Sequence, residues 1–186
     1  VINQLQLAPV VLVGWSQGVA DLVAYVDRFG TDKVAGLVLV DGLAGLDLDA
    51  QSIRELFDFI AEYNKDRAAA TRQFFREMYK KPQSEAYFER ITQASLRTPT
   101  TTALAMMLGI FAVDRRPALA KINKPTLIVA AEGPDRPPQE DMKRRIPGAR
   151  LEVFDNAGHA LFVDEAERFN ALLDEFLRSL PQAPRP

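Results

Sequence analysis

The sequence predicts an α/β fold, in which short buried strands alternate with helices. Four apolar runs have the length of buried strands, at residues 10–13, 37–40, 126–131 and 149–154. Residues 19–29 carry apolar side chains at helical spacing and end at a glycine, and a closing amphipathic helix is predicted to begin near Asp164. Strands that alternate with helices along a chain are typical of the α/β class.

Composition narrows the range of functions. The chain has 186 residues, 47% of them apolar, which suits one domain with an inserted segment. A net charge of −2 leaves no basic footprint for nucleic acid. A chain with no cysteine and one histidine cannot form a disulfide, and it argues against a zinc site. We therefore expect a cytoplasmic protein without metal or organic cofactor, which has no apolar run long enough to span a membrane.

The motif Gly14-Trp15-Ser16-Gln17-Gly18 lies between the first predicted strand and the first predicted helix. A Gly-x-Ser-x-Gly sequence in that setting describes a sharp turn that exposes the serine hydroxyl above the sheet, beside the free N–H groups of a helix start. Its glycines are expected to let the backbone fold back without a Cβ clash. Ser16 is therefore the predicted nucleophile.

A nucleophilic serine needs a base, and the only histidine of the chain is His159. It follows Gly158 in the loop after the last predicted strand, where an imidazole could take the serine proton. The third member should be a carboxylate that orients the imidazole. Asp135, in the turn after the third predicted strand, is the first candidate, because the order Ser, Asp, His along the chain is expected for this turn type. Asp41, at the carboxyl end of the second predicted strand, is the main alternative.

Two further carboxylates, Glu132 and Asp141, could also stand in for Asp135. The segment between the second and third predicted strands has helical periodicity, with Ser52 and Glu55 spaced as in a capping box and Ser84 as a further candidate cap. We predict that residues 43–118 form a helical cap over the serine. The residues predicted to line a substrate pocket are Trp15, Met106, Met107 and Phe111.

These motifs together resemble the α/β-hydrolase fold family, in register over nearly the whole chain. The resemblance covers the nucleophile turn at Ser16, Asp135 after a penultimate strand, Gly158-His159 after the last strand, and the closing helix. It implies half of a parallel α/β-hydrolase sheet, strands five to eight, with flanking helices and an inserted cap. The core would comprise residues 1–42 and 119–180, followed by a frayed tail at 181–186.

In that family the nucleophile follows the fifth strand, whereas here it is the sixteenth residue. Four more strands with their helices would occupy roughly 60–90 residues upstream. The resemblance therefore implies that one oxyanion-hole donor, from a loop after the third strand, lies outside this chain, while the Gln17 N–H supplies the other. It also leaves residues 10–13 as an apolar edge strand, which we expect to pair with a missing N-terminal half or with a second copy of the chain.

The predicted function is hydrolysis of small carboxylic esters through an acyl-enzyme, with Ser16, His159 and Asp135 as the triad. The same frame is also similar to cofactor-free perhydrolases, haloperoxidase-type enzymes and C–C bond hydrolases. A different class of hypothesis is a catalytically silent fragment or a half-fold that binds a partner.

Overall fold

Four parallel strands form a single sheet in the order β1-β2-β3-β4. The computed structural model describes residues 1–47, 49–133 and 136–181. The strands are β1 Val10–Trp15, β2 Val34–Val40, β3 Thr126–Ala131 and β4 Arg150–Phe154. All four strands predicted from the apolar runs are therefore confirmed. Because the sheet is parallel, the carboxyl ends of its strands meet along one edge, which is where Ser16, Asp41 and His159 follow their strands.

Helices cover both faces of the sheet and fill the connection between β2 and β3. They are α1 Gln17–Phe29, α2 Ala50–Lys65, α3 Arg67–Glu77, α4 Glu85–Leu96, α5 Thr100–Ala112, α6 Arg136–Arg145, α7 Leu161–Asp164 and α8 Ala166–Ser179, with a 3₁₀ helix at Arg116–Lys121. Helices α2–α5 lie within the predicted cap at residues 43–118, called the helical insertion below. Residues 182–186 of the predicted tail lie outside the described residues.

The core lies in two layers, one on each face of the sheet. Alternate residues of β2 point to opposite sides, so Leu37 and Leu39 belong to one layer and Val38 and Val40 to the other. The first layer is covered by α1, α6 and the 3₁₀ helix, and the second by α8. Burying each of these aliphatic side chains contributes about 1.5–3 kcal/mol. This double cover explains why β2 and β3 are continuous apolar runs rather than alternating ones.

Two predicted helix starts can be compared with the structure. Ser84 caps α4 as predicted, since its hydroxyl accepts a hydrogen bond from the Tyr87 N–H at 3.2 Å. The capping box of Ser52 and Glu55 is wrong. Asp49 caps α2 instead, and its carboxylate accepts bonds from both the N–H and the hydroxyl of Ser52, at 2.7 and 2.8 Å. A carboxylate at that position satisfies the free amides of the first turn, so the helix begins two residues before Ser52.

The two ends of the helical insertion meet where it joins the sheet. The Arg115 N–H donates to the Ala44 carbonyl at 2.8 Å, and the Arg116 guanidinium forms a two-pronged bond to Asp47, at 2.7 and 2.9 Å. Hydrogen bonding to Arg116 holds the pKa of Asp47 below its usual range. This clasp fixes where the insertion leaves the sheet and returns to it.

Candidate active site

The turn at Ser16 has the strained backbone expected of a nucleophile turn. Ser16 adopts φ 56° and ψ −121°, a conformation that L-residues rarely occupy. Its N–H donates to the Val40 carbonyl at 3.0 Å, and its own carbonyl accepts from the Val19 N–H at 3.0 Å. These two bonds tie the turn to β2 and to the first turn of α1. The serine therefore sits at the meeting point of a strand, a helix and the neighbouring strand.

Close packing around this turn depends on two glycines, of which the sequence motif identifies one. A Cβ on Gly14 would stand 2.5 Å from the Gly18 carbonyl oxygen, and a Cβ on Gly42 would stand 2.3 Å from the carbonyl oxygen of Ser16. A Cβ on Gly18 meets nothing within 4 Å. The expectation that both motif glycines avoid a Cβ clash is therefore confirmed for Gly14 and wrong for Gly18, whose carbonyl oxygen is the atom that a Cβ on Gly14 would meet. Gly42 was missed, although it directly follows Asp41 at a strand end.

His159 is held next to the serine turn by contacts from two directions. Its ring Nδ1 lies 2.7 Å from Oδ2 of Asp41, and its main-chain carbonyl accepts a bond from the Trp15 indole Nε1 at 2.9 Å. The Trp15 and His159 rings also contact each other, with centroids 5.2 Å apart. The imidazole is 29% exposed. Since Trp15 immediately precedes Ser16, one side chain joins the serine turn to the histidine loop.

The carboxylate at Nδ1 belongs to Asp41. This residue adopts φ 42° at the carboxyl end of β2 and its side chain is only 9% exposed. Its Oδ1 accepts a bond from the Ala131 N–H at 2.9 Å, while its own N–H donates to the Val129 carbonyl at 2.7 Å. The carboxylate is thus fixed on one oxygen by β3 and offers the other to the Nδ1–H of His159. A buried carboxylate in that position orients the imidazole and can stabilise the imidazolium that a general base becomes during reaction.

Among the described residues, the carboxylate in contact with Nδ1 is therefore that of the alternative acid, Asp41. Asp135 lies outside the described residues, so its predicted role stays a prediction. Asp141 pairs with Arg144 and Arg145 on its own helix, at 3.1 and 2.6 Å. Burial acts to raise the pKa of Asp141, but the contacts with these two arginines together lower it. Glu132 follows β3, where its N–H donates to the Phe154 carbonyl.

The predicted pocket residues are divided between two parts of the molecule. Trp15 packs on His159 and meets Phe162 edge-on, with those centroids 5.0 Å apart, so it belongs to the histidine loop. Met106, Met107 and Phe111 lie on α5, which contacts α1, the helix that follows the serine. Met106 is 51% exposed, and the other two are partly buried.

The oxyanion donor predicted at Gln17 is the first residue of α1, where the helix start leaves main-chain N–H groups without intrahelical partners.

Two surface cavities, of about 310 and 350 Å³, have walls that do not include Ser16 or His159. Within residues 1–47, 49–133 and 136–181, no group of three or more acidic, histidine or cysteine side chains could hold a metal ion. No helix in the described part of the chain is long and apolar enough to cross a membrane.

Comparison with known proteins identifies the family of the chain. The model of the alpha/beta hydrolase family matches residues 1–172, and the chain belongs to that family. It is 33% identical over 182 residues to a pimeloyl-[acyl-carrier protein] methyl ester esterase of Neisseria meningitidis, a match that covers 91% of this chain and 69% of that protein.

Solved structures and a second relative extend the comparison. An esterase from Exiguobacterium antarcticum superposes with a TM-score of 0.88 at 26% identity, covering 96% of this chain and 70% of the other. A Synechocystis protein provisionally assigned as a non-heme chloroperoxidase is 26% identical over 193 residues, covering 95% of this chain and 69% of that protein. The fold and the enzyme class are thereby shown to be those of an α/β-hydrolase related to carboxylic ester hydrolases.

Proposed function

We propose that the chain hydrolyses small carboxylic esters through an acyl-enzyme in which Ser16 is the nucleophile. The observation that carries the proposal is the 2.7 Å contact between Nδ1 of His159 and Asp41, beside a serine held in a strained turn. A buried carboxylate at Nδ1 keeps the proton on that nitrogen and leaves Nε2 free to accept one. The imidazole is then in the tautomer that a base for serine requires.

The reaction follows from these roles. His159 takes the hydroxyl proton as Ser16 attacks the ester carbonyl, and the resulting imidazolium is stabilised by Asp41. The Gln17 N–H, at the start of α1, donates to the oxyanion of the tetrahedral intermediate. His159 then passes its proton to the departing alcohol, and a water activated by the same nitrogen releases the acid. Removing one oxyanion donor in such a site costs about 10²–10³ in rate, so the Gln17 amide contributes substantially.

The substrate class is proposed from the relatives. Proteins about a third identical to this chain are methyl ester esterases that act on an acyl group carried by a protein. A methyl ester leaves a small alcohol and needs little room on that side of the serine. The acyl side would face α5, where Met106, Met107 and Phe111 provide a flexible apolar surface. We therefore expect short-alcohol esters of medium-length acyl chains to be preferred.

The test is a kinetic comparison on an activated short-chain ester and on methyl esters of increasing acyl length. Ser16→Ala and His159→Ala should each lower kcat at least about 10³-fold with an unchanged circular dichroism spectrum, although residual turnover from binding alone can survive removal of either group. Asp155→Asn, an exposed carboxylate on the same loop as His159, is the matched control and should keep full activity. Retention of more than a few per cent of activity in either alanine variant would overturn the assignment. A wild-type chain with no activity on any ester would instead support a silent fragment.

A second candidate is perhydrolysis, favoured by the similarity to the provisionally assigned chloroperoxidase. The acyl-enzyme would then be attacked by hydrogen peroxide instead of water, giving a peracid and free Ser16. Peracid can be measured by halide oxidation in acetate buffer with peroxide. Halide oxidation that disappears in Ser16→Ala would support it, and oxidation that persists in that variant would exclude it.

A further inference from the structure

A second carboxylate, Asp164, is buried close to the histidine loop, and the proposed reaction does not use it. It is the last residue of α7 and is only 5% exposed. Its Oδ2 accepts main-chain bonds from Gly158 at 2.8 Å and Lys80 at 2.7 Å, and its Oδ1 accepts one from Lys81 at 3.2 Å. Its bonding partners therefore belong both to the histidine loop and to the helical insertion.

The main chain around His159 is fixed at three successive residues. The Gly158 N–H is bound by Asp164, the His159 carbonyl by Trp15, and the Ala160 N–H donates to the Met78 carbonyl at 2.9 Å. Two of these three contacts lead to the helical insertion, either directly or through Asp164. The position of the imidazole is therefore set by the insertion as well as by the sheet.

Residues 78–81 of the insertion, called the cap strip below, lie directly against the histidine loop. A Cβ on Gly158 would stand 2.6 Å from the Met78 carbonyl oxygen and 2.9 Å from the Lys80 nitrogen, so only glycine allows this approach. The Lys80 ammonium donates to the Asp155 carbonyl at 2.6 Å, and the Lys81 ammonium donates to the Asp164 carbonyl at 2.5 Å. These contacts join the cap strip to the loop on both sides of the histidine.

The cap strip is itself firmly packed. Met78 is 7% exposed, and the Tyr79 hydroxyl lies 2.9 Å from that of Tyr87 on α4. Burial, followed by this contact with Tyr87, raises the pKa of Tyr79. The Tyr79 ring also meets Phe88, which is 5% exposed. Because the cap strip is packed in this way, it can hold the histidine loop that it contacts in a fixed position.

We propose that Asp164 is a positioning residue for His159, whose carboxylate ties the histidine loop to the cap strip and so holds the imidazole against Asp41. This inference rests on the proposed function only in naming His159 as the base. Asp164→Asn tests it, because an amide oxygen left at the Oδ2 position turns the new NH₂ group toward the Lys81 N–H. Two donors then face each other, and one of the three bonds is lost.

The most direct readout is the imidazole itself. Because the chain contains one histidine, its ring signals in an NMR spectrum are unambiguous. In the wild-type chain the Nδ1–H that donates to Asp41 should give a resolved downfield signal. In Asp164→Asn that signal should vanish, or its exchange with water should accelerate at least about tenfold. Asp174→Asn, an exposed carboxylate of α8 that pairs with Arg178 at 2.7 Å, is the control and should leave the signal unchanged.

Kinetics supply the second readout. If the loop moves by a fraction of an ångström, kcat for ester hydrolysis should fall about 10- to 100-fold while KM stays within twofold, since misplacing a catalytic group costs rate rather than binding. A lower melting temperature with an unchanged Nδ1–H signal and unchanged kcat would reduce Asp164 to a purely structural residue and overturn the proposal. A changed signal in a chain without esterase activity would refute the proposed function alone.

If Asp164→Asn does not fold, amide exchange in the wild-type chain decides the matter. The Gly158 and Lys80 amides both donate to the same oxygen, so both should exchange slowly, with similar protection relative to their intrinsic rates. Asn156, exposed in the same loop, provides the reference. A Gly158 amide that exchanges as fast as that of Asn156 would show that the carboxylate does not hold the loop.

Discussion

Replacing Asp41 with asparagine should disable the base while leaving the surrounding backbone in place. Asparagine is among the few residues that tolerate a positive φ, so the 42° angle at this position is retained. Its amide oxygen can keep the bond from the Ala131 N–H, which is 2.9 Å long in the wild-type chain. That bond fixes the orientation of the amide and turns its NH₂ group toward Nδ1 of His159.

This orientation determines the size of the effect. Facing an NH₂ donor, Nδ1 must become the acceptor, and the proton moves to Nε2, the nitrogen that has to receive the serine proton. The wrong tautomer in a Ser-His-Asp site lowers kcat by about 10⁴, which corresponds to about 5.5 kcal/mol of transition-state stabilisation. We expect a loss of about 10³–10⁴ for Asp41→Asn. The melting temperature should change by no more than about 3 °C, because no bond of the folded backbone is removed.

The assay is steady-state hydrolysis of an activated ester, with thermal unfolding of each variant in parallel. Asp135→Asn is measured beside Asp41→Asn, because the order of elements along the sequence favours Asp135, whereas the contact with Nδ1 belongs to Asp41. The geometry predicts the larger loss for Asp41→Asn. A loss of 10³ or more for Asp135→Asn with a mild effect for Asp41→Asn would refute the role given to Asp41 and leave the sequence prediction standing.

The remaining predictions concern the turn, the insertion and the sheet edge. Gly14→Ala should lower the free energy of unfolding measured in urea by several kilocalories per mole, because its Cβ would meet a carbonyl oxygen at 2.5 Å. Gly18→Ala has open space for its Cβ and should leave that free energy unchanged or raise it by about 0.5–1 kcal/mol, as a helical alanine does. Equal effects of the two substitutions would contradict this. Phe111→Ala should shift the preferred acyl length in a methyl ester series, and Met106→Ala, half-exposed, should cost little stability; a large stability loss with unchanged preference would mark both as core. We expect two copies of the chain to associate through β1, which pairs with β2 on only one side among the described strands; Val13→Lys, at a side chain 53% exposed, should lower the sedimentation coefficient toward that of a monomer, and a wild-type monomer at micromolar concentration would contradict it.

Val13 is a better position than Val11 for the charge that tests the edge strand. From sequence alone Val11 is the natural choice, because that residue lies in the middle of the apolar run. In the structure Val11 packs against the core layer under α8, so a lysine there would damage the fold as well as the edge. Val13 is exposed on the same strand and separates the two effects.

Much of the fold could be predicted from the sequence because the central strands β2 and β3 are buried on both faces. Such strands appear as uninterrupted apolar runs, and the run at Thr126–Ala131 matches β3 to the residue. The turn at Ser16 could also be predicted, because Gly14 and Ser16 belong to a short motif that specifies a local backbone conformation. The histidine followed from chemistry alone, because the chain contains no other.

The carboxylate that contacts His159 was harder to predict because the sheet brings together residues that are far apart in sequence. Asp41 and His159 are 118 positions apart, and their contact depends on parallel strands ending at one edge. The N-terminal cap of α2 was misassigned to Ser52, because Asp49, three residues earlier, is the better hydrogen-bond acceptor. Asp164 gave little local signal, because only Gly158 among its three main-chain partners is near in sequence, and Lys80 and Lys81 lie more than 80 residues away.

Fluorophosphonate labelling with intact mass measurement and peptide mapping shows whether Ser16 is an activated nucleophile in this chain. A fluorophosphonate reacts with a serine that a neighbouring base has activated, and it reports this without any knowledge of the substrate. We predict a single adduct per chain, located on the peptide that contains Ser16 and absent from the Ser16→Ala and His159→Ala variants. An unlabelled wild-type chain, or an adduct that persists in Ser16→Ala, would show that Ser16 is not the activated nucleophile.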